Sequence, residues 1–351
     1  SIQIILILLV HFSLKKHKLE SKRINNLYIY PTNSSSKLSY IFDAIKIGKE
    51  IIKKNEFSIN SSVITCQDPF ETGLVGLFIK RHFHFPLQIQ IHTDFLSPYF
   101  RNNFLNKLRV FISKFTIPKA DGIRVVSSVI SESLKNSFRN LKARLDILPI
   151  FVDIEKFEKT FVVGGIMSPY TILMVSRLAK EKNITLAIDS FKKISDDFPN
   201  EGLYVVGDGE EKESLVSYIK QSGLENKIKI VGWENQDVVS SLYKSAKIFL
   251  STSDFEGYGM TLIEAGASGV PIITTNVGVS KTTLFKDGVN SYVCPVGDVD
   301  CLSEKLIDLI TNEKKRKSFA NNMHDNIKDI SLGKEEYVTK YVDLLKKILK
   351  S

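Results

Sequence analysis

At 351 residues, 43% apolar and 25% charged, the chain is long enough for two cored domains, which excludes both a disordered protein and a single small module. The net charge of +9 is uneven: residues 1–160 carry 24 Lys and Arg against 13 Asp and Glu, whereas residues 161–351 carry 24 against 26. A basic first half suits an anionic partner, nucleic acid or an acidic lipid surface, as well as ordinary solvated lysines.

The first apolar run, IQIILILLV before His11, is about half the length of a membrane-crossing helix and no basic segment precedes it, so it reads as a buried strand. Because the chain opens on Ser1 already inside this run, a piece upstream is expected to be missing. Further strands are expected at 27–30, 62–65, 88–91, 122–126 and 145–148, with helices near 38–54, 70–82, 101–116 and 128–139. After a break at 151–170, marked by Gly164, Gly165 and Pro169, strands at 170–176, 202–206, 228–231, 247–250, 271–274 and 291–293 alternate with helices. Those helices lie near 182–197, 210–221, 235–245, 261–268, 299–311 and 313–328. Strand–helix alternation of this kind predicts an α/β protein of two doubly wound, parallel-sheet halves. A last amphipathic helix after Gly333 carries Tyr337, Tyr341, Leu344, Leu345 and Leu349 on one stripe and needs a surface to cover. The cysteines, Cys66, Cys294 and Cys301, are too scattered for a disulfide framework and lack zinc spacing, so they are expected to be reduced in a cytosolic protein.

The string SDFEGYGMTLIEAGASGVPII, residues 253–273, follows the apolar strand ending at Leu250 and therefore sits at a strand's carboxyl end, where open α/β sheets bind ligands. Gly257 and Gly259 let backbone approach a ligand and take positive φ, and a helix starting near Thr261 would aim N–H groups at a diphosphate. Glu264 suits ribose hydroxyls and Glu256 the group beyond the phosphates; the plainer role for Glu264 is to complement the helix dipole. Earlier, VSRLAKEKNITLAIDSF puts Arg177 and Lys182 after a strand, where two cations suit a departing diphosphate or are merely surface charge. GDGEEKESL carries Gly207 and Gly209 but lacks the third glycine of GxGxxG, which disfavours a nicotinamide dehydrogenase.

The order VSRLxxEKN, VGDGxxxxxL, VGW, then FEGYGMTLIEAGASGVPII resembles the second domain of the retaining glycosyltransferases of family 4 (glycosyl transferases group 1) over about residues 170–350. The resemblance implies the GT-B fold of two facing Rossmann-like domains, divided at 1–155 and 156–332, with 333–351 as a helix returning to the first domain. It also implies that Glu256 and Glu264, as an E-x7-E pair, face the donor sugar and the ribose, that Arg177 and Lys182 hold the diphosphate, and that Gly232 and Trp233 lie near the base. Backbone of Gly257, Tyr258, Gly259, Met260, Thr261 and Leu262 completes the donor site. In the first half IQIHTDFLSPY, ADGIRVVSSVISESL and LPIFVDIEKF are similar to family stretches more loosely. There His92 matches a position that points at the transferred sugar, Asp94 either orients it or caps the next turn, and Ser127 and Ser128 precede a helix as caps. One departure is the family's opening strand, Gly-rich loop and long helix, which has no counterpart between Ser1 and Tyr30 and whose absence favours a remnant without turnover.

The expectation is a retaining hexosyltransferase that moves a hexose from a nucleotide diphosphate sugar to a glycan or lipid-linked acceptor in polysaccharide or cell-envelope biosynthesis. Its alternatives are a nucleotide-sugar-binding remnant without turnover and a GT-B epimerase. No metal is expected, since DVD at 298–300 opens a helix and suits capping. The acceptor side is expected to touch no nucleic acid. Finally, RNNFLNKLRVFISKF, residues 101–115, sets Phe104, Leu105, Leu108, Phe111, Ile112 and Phe115 among Arg101, Lys107, Arg109 and Lys114. Such a helix either packs on its sheet or lies on the anionic inner face of the plasma membrane.

Overall fold

The computed structural model describes residues 7–36, 39–55, 57–160, 167 and 170–350. They divide into two compact units, 1–126 with 130–148 and 339–351, and 127–129 with 149–338. The division at Leu148 lies just ahead of the expected domain boundary.

In the first unit the strands are β1 (Ile7–His11), β2 (Lys22–Ile24), β3 (Leu27–Pro31), β4 (Ile64–Cys66), β5 (Leu87–Ile91), β6 (Gly122–Val125) and β7 (Arg144–Ile147). Helices α1 (Ser39–Asn55), α2 (Glu71–Phe83), α3 (Phe104–Thr116) and α4 (Ser128–Ser137) connect them. One correction is that these strands form two sheets, β1-β3-β2 and the all-parallel β4-β5-β6-β7. The exposed strand β2 pairs antiparallel with β3 and forms one edge of the three-stranded sheet. Its hairpin turns at Asn25, φ 52°, a left-handed conformation that Asn tolerates. Residues 2–6 of the opening apolar run lie outside the described residues.

One face of the four-stranded sheet is polar. Gln88, Gln90 and Arg124 are buried there, and Arg124 donates to Gln90 Oε1 at 2.6 Å while Gln90 Nε2 donates to Thr65 Oγ1 at 2.9 Å. The network closes on Tyr341 of the last helix, α12 (Lys334–Leu349), whose hydroxyl lies 2.8 Å from Gln90 Nε2 and whose ring lies under the Arg124 guanidinium. Buried polar groups hold only if paired, so the end of α12 completes this face rather than merely covering it.

The second unit opens with the short helix α5 (Ile154–Lys159), capped by Asp153. Its strands are β8 (Ile172–Val175), β9 (Leu203–Val206), β10 (Ile228–Val231), β11 (Ile248–Ser251), β12 (Ile272–Thr275) and β13 (Tyr292–Cys294). Its helices are α6 (Ile184–Lys192), α7 (Lys212–Gln221), α8 (Gln236–Ser245), α9 (Met260–Ala267), α10 (Val299–Thr311) and α11 (Glu313–Ile330). All six strands run parallel in the order β10-β9-β8-β11-β12-β13. That order is doubly wound and reverses between β8 and β11, which makes the carboxyl ends of those two strands the place for a ligand. The strands are almost continuous Ile, Leu and Val because helices cover both faces.

The cysteine reading is corrected here: Cys294 and Cys301 form a disulfide, with Cα atoms 5.9 Å apart, while Cys66 is free and buried. Cys294 ends β13 and Cys301 lies in the first turn of α10, and the tight turn through Gly297 folds one onto the other. Among the described residues no helix is long and apolar enough to cross a membrane.

Candidate active site

Two loops meet at the reversal between β8 and β11. The first runs Ser176–Asn183 and the second Thr252–Gly259, and Asn183 joins them. Held at φ 43°, Asn183 caps α6 by accepting from Leu186 N with its Oδ1 and donates from Nδ2 to Asp254 Oδ1 at 2.8 Å. Asp254 N donates to Glu181 O at 2.8 Å and Thr252 Oγ1 to Asn183 O at 2.9 Å, so backbone and side chains both stitch the loops.

This stitching brings two expected site residues into contact. Lys182 Nζ lies 2.6 Å from Glu256 Oε1, with side chains only 17% and 11% exposed, and Ser253 Oγ donates to the same oxygen at 2.8 Å. An ion pair this dry is held firmly, yet either partner alone would be a buried, uncompensated charge. Arg177 lies at the exposed rim and pairs with Glu181 one turn on.

Behind them α9 starts at Met260. Gly259 takes φ 100° as its cap and supplies no side chain, so among the described residues no cap side chain meets the first N–H groups of α9. Gly257 is not among the described residues with positive φ. Tyr258 and Leu262 point into the protein, with Tyr258 buried and Leu262 at 0% exposure, so these two offer a ligand only backbone; Met260 and Thr261 are half-buried. Burial, with Tyr337 adding to it, pushes the Tyr258 hydroxyl up to about 12.

Glu264, one turn into α9, accepts from the fully buried Tyr243 hydroxyl at 3.1 Å. Burial raises its carboxyl above the usual range, against the lowering effect of the Tyr243 hydrogen bond. A raised folded pKa means that the ionised form opposes folding, a cost that grows as pH rises through that pKa. Glu264→Gln is therefore expected to melt higher than the wild type at neutral pH and to flatten the pH dependence of stability. A lower melting temperature at neutral pH would show that the charge is needed for folding.

Sequence reading missed Gly278. It follows β12 at φ 56°, and a Cβ there would come 2.6 Å from Tyr258 O and 2.7 Å from Glu256 Cβ. Its neighbour Val279 N donates to Tyr258 O at 2.6 Å, so this third loop fixes the Glu256 loop from behind. The only signal in the sequence was a glycine just past an apolar strand. Gly207, weak as a phosphate motif, is a packing position: at φ 145° a Cβ would fall 1.8 Å from Ser176 O. Gly207 N also donates to Gly232 O at 3.1 Å, which places Gly232 beside the β9 loop and leaves Trp233 77% exposed.

His92 belongs to the first unit, at the carboxyl end of β5, with Nε2 3.2 Å from Gln67 Oε1. Burial, then the Arg124 charge, lowers its pKa, so it is neutral at neutral pH. Asp94 does not reach it in any hydrogen bond recorded among the described residues; it accepts from Leu96 N and from Ser133 Oγ at 2.8 Å and so acts as a turn cap. Asp298 caps α10 through Cys301 N at 2.9 Å, and Asp300 pairs with Lys193.

Against this geometry, residues 156–325 match the sequence model of the glycosyl transferases group 1. Over this stretch the chain is similar to the group 1 enzymes, and it is a glycosyltransferase. The glycosyltransferase chain is 26% identical to an uncharacterised glycosyltransferase of Methanocaldococcus jannaschii, over 85% of this chain and 78% of that one. It is 31% identical to 2-deoxystreptamine N-acetyl-D-glucosaminyltransferase of Niallia circulans, over 70% of this chain and 65% of that one, just under two thirds of the relative's length. Among solved structures it superposes on Anabaena HepE in complex with UDP-glucose with a TM-score of 0.73, at 17% identity, covering 93% of this chain and 86% of that one. The glycosyltransferase has the GT-B fold.

Proposed function

We propose that this glycosyltransferase is a retaining hexosyltransferase that takes a hexose from a nucleotide diphosphate sugar and passes it to a glycan or lipid-linked acceptor of polysaccharide or cell-envelope synthesis. The observation that carries the reading is the meeting of Lys182, Glu256 and the uncapped start of α9 at the sheet's reversal. A cation pair and free helix amides suit a diphosphate without a metal ion. The Ser176 hydroxyl on the first loop, buried with no hydrogen-bond partner among the described residues, is a further group that a bound donor would satisfy.

On this reading Lys182 leaves Glu256 for the diphosphate when the donor binds, and Glu256 is released to accept from sugar hydroxyls. Arg177 assists at the rim, and Glu264 accepts from the ribose hydroxyls. Trp233 and Gly232 lie on the side of the base. His92, neutral and able to donate one hydrogen bond, is the proposed contribution of the first unit. The C1–oxygen bond to the diphosphate breaks while the acceptor oxygen bonds to C1 on the same face, and the acceptor proton passes to the departing phosphate oxygen. Charge developing on that oxygen is met by Lys182, Arg177 and the α9 amides. Proton NMR of the product formed from α-linked UDP-, GDP- and ADP-hexoses with a panel of glycan acceptors tests it. An α-linked product supports the reading, whereas a β-linked one, or epimerised donor without transfer, refutes it.

A further inference from the structure

The outward face of α3 is apolar. Phe104, Leu108, Phe111 and Phe115 recur at helical spacing and are 84%, 44%, 56% and 49% exposed, while the residues of α3 that face the protein are Val110, Ser113 and Thr116. The larger hydrophobic side chains therefore point away from the sheet, which reverses the usual arrangement in a doubly wound domain and settles how this helix lies. Phe111 and Phe115 meet edge to face on this outward side, with ring centroids 5.1 Å apart.

The charge around this stripe has one sign. Arg101, Lys107, Lys114 and Lys119 are exposed and join no ion pair among the described residues, whereas Arg109 is taken by Glu71 of α2 at 2.8 Å. No Asp or Glu occurs between Asp94 and Asp121. Lys107 and Lys114 are seven residues apart and so line the same edge of the stripe, where long aliphatic stems let the ammonium groups reach up beside buried rings.

From this pattern we infer that α3 docks the enzyme on an anionic phospholipid bilayer, with the Phe104–Phe115 stripe at the acyl boundary and the Arg101, Lys107, Lys114 and Lys119 cations among the headgroups. Tyr99, 52% exposed just before the helix, suits the same interface. A second copy of the chain is the poorer occupant. A two-fold pairing through α3 would set each cationic rim against its like, with no carboxylate on the segment to relieve it. The inference stands on the surface of the first unit alone and survives whatever donor the second unit binds.

Co-sedimentation of the full chain with phosphatidylcholine vesicles, with and without phosphatidylglycerol, tests it. Binding is expected only with phosphatidylglycerol and is expected to weaken with added salt. Lys107→Glu with Lys114→Glu should lower the partition coefficient by about thirtyfold or more, since each cation near the surface contributes about fivefold and the two factors multiply. Phe104→Ser with Phe111→Ser should abolish binding, and both exposed double variants should melt with the wild type. Equal binding to the two vesicle types, or variants that bind like wild type, would overturn the inference. So would sedimentation equilibrium showing a dimer that the Phe substitutions dissolve.

Discussion

Glu256→Gln is expected to lower turnover about a hundredfold, the scale of losing one preorganised polar contact to the reacting group. It is also expected to leave affinity for the free nucleoside diphosphate unchanged or tighter. The second half of that expectation comes from the Lys182–Glu256 contact at 2.6 Å: a neutral amide competes less well for the Lys182 ammonium, which is then freer for phosphate. Steady-state kinetics and calorimetry separate the two effects, because a residue used only to hold the fold would lower both or neither. Glu264→Gln should behave oppositely, weakening nucleotide binding by about 1 kcal/mol or more through the lost ribose contact. Equal losses of nucleotide affinity in the two variants would remove the division of roles.

The second large effect concerns the cations. Arg177→Ala with Lys182→Ala is expected to weaken nucleoside diphosphate binding by at least about 2 kcal/mol, the scale of two charge-assisted hydrogen bonds, or about thirtyfold. Most of this should belong to Lys182, which is largely buried, whereas Arg177 is 68% exposed and already paired with Glu181. Lys182→Ala strands the Glu256 carboxylate at 11% exposure, so the variant should also melt lower than wild type. Lys182→Ala combined with Glu256→Gln restores neutrality and should recover stability but not affinity. Unchanged calorimetric affinity in the double cation variant would refute the assignment.

How far the sequence shows this site follows from which interactions are local. The six strands of the second unit were legible because a parallel strand buried on both faces reads as an unbroken apolar run, as at Ile172–Val175 and Ile248–Ser251. Glu256 and Lys182 could each be placed at a strand's carboxyl end for the same reason. Their contact could not, since they are 74 residues apart and meet only because β8 and β11 are neighbours in the sheet. Tyr243 beneath Glu264, and Gly278 behind Glu256, were hidden likewise. The hairpin at β2 was missed because Lys22–Ile24 is three exposed residues with no alternation, although Asn25 and Asn26 carried a turn signal. The Cys294–Cys301 pair was missed because a count of three suggested no framework, whereas the decisive fact was a strand end folded onto a helix start. The exposed stripe of α3 was seen as a stripe, but spacing alone does not tell which side of a helix meets its sheet.

The most direct measurement is calorimetric titration of the full chain with UDP, GDP and ADP, each against its own monophosphate. A diphosphate site built from Lys182, Arg177 and the start of α9 should bind one diphosphate at least about tenfold more tightly than its monophosphate, the second phosphate contributing about 1.4 kcal/mol or more. Equal affinity for di- and monophosphate, or no binding of any of the three diphosphates, would contradict a donor site at the reversal between β8 and β11.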